Sequence, residues 1–134
     1  MSKVKAFIVE DSPVILENLV STLEDLTSVE VVGCVTEEAA AVAALRQPEA
    51  ADIDLYIIDV FLRAGTGLGV LQAALELSLP GRFVVLTNYA TAEMKRRCLA
   101  LGAERVFDKS RDLDELIAYC AELCGEGTRP APLL

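Results

Sequence analysis

Four short apolar runs of this chain each end in charged or hydroxylated residues. Each run has the length and composition of a buried strand, and they cover residues 5–9, 55–58, 82–86 and 105–108. If these strands lie parallel, their carboxyl ends meet at one edge of a sheet, which is where open α/β sheets bind ligands. The sequence therefore predicts one polar crevice, formed by Glu10, Asp11, Asp59, Thr87 and Lys109.

The first two helical patterns lie between these runs. Ser12 fits the N-cap of the first helix, which begins at a proline and continues to about residue 26. Residues 29–35 are rich in β-branched side chains and predict a further strand. Thr36 is predicted to cap the second helix, with Glu37 and Glu38 in its first turn, where acidic residues are favourable.

Three more helical patterns follow, each with a recognisable boundary. The third covers residues 68–79 and ends at a Pro-Gly pair, and the fourth begins after Thr91 and ends at Gly102. The fifth begins at Asp112, which forms a plausible capping pair with Glu115. Strands and helices therefore alternate along the whole chain.

This alternation predicts an α/β fold in which helices cover both faces of a parallel sheet. We expect a flavodoxin-like, doubly wound sheet of five parallel strands in the order 2-1-3-4-5, with five helices. The length of 134 residues fits one domain. We assign residues 1–125 to that domain and expect residues 126–134 to form a flexible C-terminal tail.

Charge and composition exclude several partners and several kinds of chemistry. The net charge of −9 argues against nucleic acid and anionic membranes as partners, because both attract Lys and Arg. The chain has no histidine, which excludes catalytic triads, histidine-ligated metals and a phosphohistidine on this protein. Hydrophobic residues at 53% and charged residues at 25% are typical of a well-packed globule.

We see no signal peptide and no membrane span, so we expect a cytoplasmic protein. Residues 1–3 enter the first strand directly, and no window approaches the roughly 18 apolar residues of a span. The four cysteines lack both CxxC spacing and histidine companions, which favours small core residues in a reducing compartment. Cys120 and Cys124 are one helical turn apart, which leaves a weak metal pair as the alternative.

The three acids at the predicted strand ends need a cation. Clustered carboxylates repel one another by several kcal/mol at low effective dielectric, and oxygen ligands of this kind suit Mg²⁺. Asp59 ends the most apolar strand, so we interpret it as a metal ligand or a nucleophile. The alternative is an exposed acid that only ends the strand. The acids and the lysine at neighbouring strand ends favour the functional interpretation.

Six short segments around these residues have a specific order and spacing. They are Val9-Glu10-Asp11-Ser12, Ile57-Ile58-Asp59-Val60, residues 65–71, Leu86-Thr87-Asn88, Leu101-Gly102-Ala103 and Phe107-Asp108-Lys109-Ser110. Together they resemble the receiver domains of bacterial two-component response regulators, in the stand-alone form of the chemotaxis regulators. The resemblance extends from residue 3 to about residue 125.

The resemblance implies a role for each matched residue. Asp59 would be the phosphoryl acceptor, while Lys109 and Thr87 would bind oxygens of the phosphoryl group. The alternative for Thr87 is an ordinary β-branched residue at a strand end. The implied cofactor is Mg²⁺, and its implied ligands are Glu10 through water, Asp11, Asp59 and the backbone carbonyl of Phe61.

The chain departs from the common pattern of the family at three positions. Arg63 and Ser110 stand where many receivers have proline, four residues after the acceptor and one after the lysine. Val106 replaces the aromatic residue that many receivers rotate on activation. Phe107 lies next to it, but alternation along a strand places it on the opposite face of the sheet.

The implied function is a signalling switch that accepts a phosphoryl group from a sensor histidine kinase or a histidine phosphotransfer protein. It would catalyse only its own phosphorylation and dephosphorylation, and would not be an enzyme toward other substrates. A downstream protein would bind the fourth helix, fifth strand and fifth helix of a monomer or weak dimer. Lys95, Arg96 and Arg97 belong either to that surface or to a solvated helix face.

Two other functions remain alternatives for an acidic crevice of this kind. A phosphatase of the haloacid dehalogenase type would carry a second acid two residues after the nucleophile, where this chain has Phe61. A receiver-like binding module that is never phosphorylated would have no need of all five site residues.

Overall fold

Five parallel strands form one sheet in a computed structural model, which describes residues 3–125. The order is β2-β1-β3-β4-β5, as the alternation of segments predicts. The strands are β1 Val4–Val9, β2 Val29–Val35, β3 Leu55–Ile58, β4 Arg82–Thr87 and β5 Arg105–Asp108. The predicted tail, residues 126–134, lies outside the described residues.

Five α-helices connect these strands and cover both faces of the sheet. They are α1 Pro13–Leu26, α2 Glu38–Leu45, α3 Gly67–Leu77, α4 Ala92–Ala100 and α5 Leu113–Leu123. Side chains of α1 and α5 share one apolar core with one face of the sheet, and those of α2, α3 and α4 share a second core with the other. Within residues 3–125, no helix combines the length and apolar character needed to cross a membrane.

Local sequence signals set several helix ends as predicted. The Ser12 hydroxyl accepts the N–H of Ile15 at the start of α1, and the Thr91 hydroxyl accepts the N–H of Met94 at the start of α4. Gly102 follows α4 with a φ of +101°, a conformation that glycine adopts without a steric penalty. These helix ends therefore depend on residues close in the sequence.

The predicted cap of α2 is wrong. The N-cap residue is Glu37 instead of Thr36, and its side chain makes no capping hydrogen bond. The helix begins at Glu38 because the backbone N–H of that residue donates to the carbonyl of Ala64, 3.0 Å away in a different loop. A short 3₁₀ helix, Pro48–Asp52, follows α2 and was not expected. Tertiary contacts outweigh the local preference here.

The capping pair predicted for α5 is also wrong. Asp112 is the N-cap residue, but its side chain accepts the N–H of Asp108 at 2.9 Å and does not cap the helix. Leu116, Tyr119 and Cys120 form the buried side of α5, whereas Leu113 is exposed. Tyr119 packs beside Phe107 in the core under α1 and α5.

Three of the four cysteines fit the core interpretation. Cys98, Cys120 and Cys124 are buried, but Cys34 on the edge strand β2 is exposed, so the prediction is wrong for that residue. Burial raises the pKa of the Cys120 thiol to about 12. Burial therefore keeps this thiol protonated at neutral pH.

Candidate functional site

The polar residues that end the strands meet at one edge of the sheet. Glu10 follows β1, Asp59 follows β3, Thr87 ends β4 and Lys109 follows β5. The N–H of Glu10 donates to the carbonyl of Val35, and the N–H of Asp59 donates to that of Val9, so parallel pairing continues past the strand ends. The backbone therefore fixes the relative positions of the two acids.

Lys109 links the two buried acids. Its Nζ lies 2.8 Å from Asp59 Oδ2 and 2.8 Å from Glu10 Oε1. The side chain of Lys109 is 11% exposed, that of Asp59 is 7% exposed and that of Glu10 is 2% exposed. Water therefore screens these ion pairs far less than it would screen pairs on an open surface. Removing one partner would leave an uncompensated charge in a site largely closed to solvent.

Burial and ion pairing determine the acid–base behaviour of these groups. Burial raises the pKa of Glu10, and the hydrogen bond from Lys109 offsets only part of that effect. For Lys109, burial on its own would lower the pKa, but the hydrogen bonds to Asp59 and Glu10 outweigh it and raise the pKa. Lys109 is therefore an ammonium group at neutral pH.

The site offers oxygen ligands in a cluster that fits a divalent cation. Carboxylate oxygens of Glu10, Asp11 and Asp59 lie within 4.8 Å of one another. One ammonium group for three carboxylates leaves excess negative charge. Because all the clustered donors are oxygens, the set suits Mg²⁺ better than Zn²⁺ or Cu²⁺, which prefer nitrogen or sulfur. The donor chemistry thus fits the predicted cofactor.

Thr87 lies at the buried end of β4. It is 0% exposed, and its hydroxyl oxygen accepts the backbone N–H of Tyr89 at 3.2 Å. A hydroxyl that accepts one hydrogen bond keeps its own hydrogen for another acceptor. The carbonyl of Thr87 accepts the N–H of Lys109 at 3.0 Å, which fixes the β5 end of the site to β4.

The loop between β3 and α3 closes against the site. The N–H of Gly67 donates to the carbonyl of Val60 at 2.7 Å, and Phe61 forms an antiparallel bridge with Thr66. A Cβ atom on Gly67 would collide with the carbonyl oxygen of Asp59, so the close approach requires glycine. The turn therefore doubles back directly beside Asp59.

Two exposed rings meet across the mouth of the site. Phe61 belongs to the β3–α3 loop and Tyr89 to the loop between β4 and α4. Their ring centroids are 4.8 Å apart in an edge-to-face arrangement, although the residues are 48% and 58% exposed. The rings therefore connect the loop after β3 with the loop after β4.

A hydrogen-bonded turn supports Lys109 in the absence of a proline after it. The N–H and the hydroxyl of Ser110 both donate to Asp108 Oδ1, at 2.8 Å and 2.6 Å. The N–H of Asp108 in turn donates to Asp112. The two hydrogen bonds from Ser110 lower the pKa of the Asp108 carboxyl group. The sequence analysis missed this turn, although Asp-x-Ser is a recognisable turn pattern.

The sequence of the chain matches one protein family over most of its length. The family model described as the response regulator receiver domain matches residues 6–121. The chain belongs to the receiver-domain family. Receiver domains are regulatory components of two-component systems. Members of this family bind Mg²⁺ at an acidic pocket and act with histidine kinases or phosphotransfer partners.

Two curated proteins are similar to this receiver domain in sequence. The acid tolerance regulatory protein ActR of Rhizobium meliloti (strain 1021) is 32% identical over 92% of the chain and 61% of its own length. The transcriptional regulatory protein CitB of Klebsiella pneumoniae is 30% identical over 81% of the chain and 44% of its own length. The chain thus spans less than two thirds of either relative.

Solved receiver structures have the same fold. The receiver domain of the response regulator NarL from Mycobacterium tuberculosis gives a TM-score of 0.79 at 24% identity, over 96% of this chain and all of that one. A response regulator of the LuxR family from Aurantimonas sp. SI85-9A1 gives 0.80 at 22% identity, over 92% and 87% of the two chains. These similarities confirm the flavodoxin-like fold and the strand order.

The structure gathers the predicted residues at one edge, and their roles stay predictions. Glu10, Asp11 and Asp59 form the carboxylate cluster, and Lys109 contacts two of them. Thr87 ends the neighbouring strand, and Phe61 lies in the loop that follows Asp59. Asp108, Ser110 and Asp112 form the turn that supports Lys109, a role that the sequence pattern did not predict for them.

Proposed function

We propose that this receiver domain is a phosphorylation-dependent switch in which Asp59 accepts a phosphoryl group. The observation that supports it best is the position of Asp59 at the end of β3, 2.8 Å from the ammonium group of Lys109 and within the carboxylate cluster. The phosphatase alternative has less support, because Phe61 stands where a second acid would be needed to protonate a leaving group.

The proposed transfer starts from a phosphohistidine of the donor protein. A carboxylate oxygen of Asp59 attacks phosphorus, an O–P bond forms, and the P–N bond to the donor imidazole breaks. The electron pair of that bond remains on the imidazole nitrogen. Lys109, already paired with Asp59, then interacts with a phosphoryl oxygen as a point charge. This electrostatic stabilisation is the main requirement of phosphoryl transfer.

Mg²⁺ is the proposed cofactor, and it supplies charge neutralisation for the phosphoryl oxygens. The residues that would hold it are Asp11, Asp59, Glu10 through water and the backbone carbonyl of Phe61. Two of these residues follow β1 directly, and the other two belong to the segment after β3. The pairing of these strands therefore presets the distance between the two pairs of ligands.

Thr87 is proposed to transmit the phosphorylation state. Its hydroxyl hydrogen would donate to a phosphoryl oxygen while its oxygen accepts the N–H of Tyr89. Any movement of the hydroxyl therefore carries the 88–90 loop with it. That loop leads directly into α4, which begins at Ala92.

The proposed phosphodonor is a sensor histidine kinase or a histidine phosphotransfer protein in the cytoplasm. The proposed output surface is formed by α4, β5 and α5 of a monomer or weak dimer, and it binds a protein. Lys95, Arg96 and Arg97 on this surface are exposed, and Arg96 pairs with Glu93. The overall charge of −9 does not favour nucleic acid as the partner of this chain.

Incubation with Mg²⁺ and acetyl phosphate, followed by intact-mass measurement, tests the proposal. We expect one added phosphoryl group on the wild-type chain and none on Asp59→Asn. Asp52→Asn, on the exposed 3₁₀ helix, makes the same charge change away from the site and should be phosphorylated normally. Equal labelling of wild type and Asp59→Asn, or no labelling of the wild type, would contradict the assignment.

A further inference from the structure

Glu38 joins the start of α2 to the loop that follows the acceptor acid. Its backbone N–H donates to the carbonyl of Ala64 at 3.0 Å, and its Oε1 accepts the N–H of Thr66 at 2.9 Å. Residues 63–66 are all exposed, so few apolar contacts hold this part of the loop. The two hydrogen bonds with Glu38 therefore contribute to its order, together with the bond from the N–H of Gly69 to the Thr66 hydroxyl.

Two glycines make room for the Glu38 side chain. A Cβ atom on Gly65, whose φ is +82°, would collide with Glu38, and so would a Cβ atom on Gly69 in the first turn of α3. At Gly69, the three atoms nearest to such a Cβ all belong to the Glu38 carboxyl group. Glycine within a helix costs about 1 kcal/mol relative to alanine, so its presence at this position fits a need for space.

The clamped loop is part of the site. Thr66, which Glu38 binds, forms the antiparallel bridge with Phe61, and the next residue donates its N–H to the carbonyl of Val60. Ordering Thr66 thus orders the backbone of Phe61, two residues after Asp59. Arg63 stands in this loop where a proline would stiffen it, so the stiffness has to come from elsewhere.

We propose that Glu38 is a positioning residue, which holds the β3–α3 loop so that the Phe61 carbonyl is set for the cation. This inference rests on the proposed function, because it assumes that Mg²⁺ binds at the carboxylate cluster. Without Glu38, the cation has to order the loop when it binds, and part of the binding free energy is lost.

The test measures Mg²⁺ affinity and the hydrogen exchange of the Thr66 amide in the metal-free protein. Glu38→Ala should weaken Mg²⁺ binding about fivefold and speed exchange at Thr66 about tenfold. Glu38→Gln keeps a neutral acceptor and should stay within about twofold of wild type. Glu37→Ala removes the same charge one residue away, where the side chain makes no capping bond, and should leave both measurements unchanged.

Gly69→Ala tests the clamp from the other side. Its added methyl group should displace the Glu38 carboxylate and reproduce the weaker binding of Glu38→Ala. In the Glu38→Ala background the same methyl group has free space, so Gly69→Ala should then add no further loss. This non-additivity would not arise if the two residues acted independently. Should Glu38→Ala fail to fold, Gly69→Ala alone carries the comparison.

The outcomes separate the role of Glu38 from the proposed function. A wild-type protein that binds no Mg²⁺ overturns the proposed function and this inference with it. A wild-type protein that binds Mg²⁺, together with Glu38→Ala or Gly69→Ala of equal affinity, overturns only the role of Glu38. Equal losses for Glu37→Ala and Glu38→Ala would also overturn it, because they would assign the effect to charge alone.

Discussion

Among single residues, the three acids of the carboxylate cluster differ in their ion pairing and in their exposure. Lys109 pairs with Glu10 and with Asp59, but not with Asp11, among the ion pairs of residues 3–125. Asp11 is also the most accessible of the three, being half-buried where the other two are buried. We therefore expect the Asp11 carboxylate to depend most on an added cation to neutralise its charge.

Asp11→Ala should sharply weaken Mg²⁺ binding, which we expect to be about millimolar in the unphosphorylated protein because such sites retain several waters. A titration followed by NMR would measure it. Wild-type shifts should concentrate on Asp11, Asp59 and Phe61, and the variant should lose them. Absence of Mg²⁺-dependent shifts at these residues in the wild type would show that the metal assignment is wrong.

The two rings at the mouth of the site should prolong the life of the phosphorylated protein. Phe61 and Tyr89 lie two residues after Asp59 and Thr87, and their ring centroids are 4.8 Å apart, so the two rings should obstruct in-line attack of water on the phosphoryl group. The double variant Phe61→Asn with Tyr89→Glu should lose phosphate about tenfold faster, since tenfold needs only about 1.4 kcal/mol of barrier. Decay of the intact phosphoprotein mass measures the rate.

Each single variant is the control for this prediction. If the two rings block water because they contact each other, replacing either ring alone should also speed the loss of phosphate, but by less than the double variant does. A double variant that keeps its phosphate as long as wild type, or longer, would contradict the steric argument.

At the scale of helices and strands, the predictions that hold are those with local causes. Ser12 and Thr91 cap their helices through bonds to residues three positions on, so short-range sequence patterns suffice. Thr36 and Asp112 look equivalent in sequence but do not cap. Asp112 accepts a bond from Asp108, and α2 begins where the backbone of Glu38 meets a distant loop.

The same distinction applies to the site. Strand-end positions predict that Glu10, Asp59 and Lys109 converge, because parallel strands bring their carboxyl ends to one edge. Glu38 could not be identified this way, because its partner Thr66 lies 28 residues away and hydrogen-bonds through its backbone, which has no residue-specific pattern. In the sequence, only Gly65 and Gly69, two of the three glycines in residues 65–69, hint that a side chain occupies the space beside them.

Tyr119 connects α5 to the start of β5 through a pH-sensitive bond. Its hydroxyl donates to Glu104 Oε1, and Arg82 pairs with the same carboxylate at 2.7 Å. The bond from Tyr119, ahead of Arg82, holds the pKa of Glu104 below its usual value of 4.5. Because the folded-state pKa is lowered, this stability is present above pH 4.5 and is lost as pH falls through the folded-state pKa.

Tyr119→Phe should therefore destabilise the protein by about 1 kcal/mol at pH 7, a value discounted because the carboxylate is partly exposed. The loss should be smaller at pH 3, below the usual Glu104 pKa of 4.5, because the unfolded state then binds the proton and part of this charge-dependent stability is lost. Urea unfolding at the two pH values measures the difference. An equal loss at both pH values would show that the charge on Glu104 does not contribute to the effect.

In the whole molecule, the two apolar cores hold different residues of β5, the strand that leads to Lys109. Phe107 is buried in the core under α1 and α5, whereas Val106 packs on the other face with α3 and α4. The buried ring thus lies on the face away from α4. No aromatic side chain on the α4 side of β5 can rotate into the space beside Thr87, because the residue on that side is Val106.

Activation should instead move the 88–90 loop and, with it, the N-terminal end of α4. One hydroxyl contact from Thr87 limits the bias between the two states to about 1.5–3 kcal/mol, so we expect a modest population shift. Comparing the free protein with its beryllofluoride complex by NMR tests this, since the fluoride stands in for the phosphoryl group. Large changes confined to Val106 and Phe107, with residues 88–90 unmoved, would contradict the mechanism.

The contact between Phe61 and Tyr89 also supplies the protein with an intrinsic spectroscopic reporter. The chain contains no tryptophan, and its other two tyrosines, Tyr56 and Tyr119, are buried. Tyr89 is therefore the one solvent-exposed phenol, and it sits edge-to-face with a ring on the opposite loop. Ring-current shifts and iodide quenching of tyrosine emission would follow separation of the two loops in real time, with no added label.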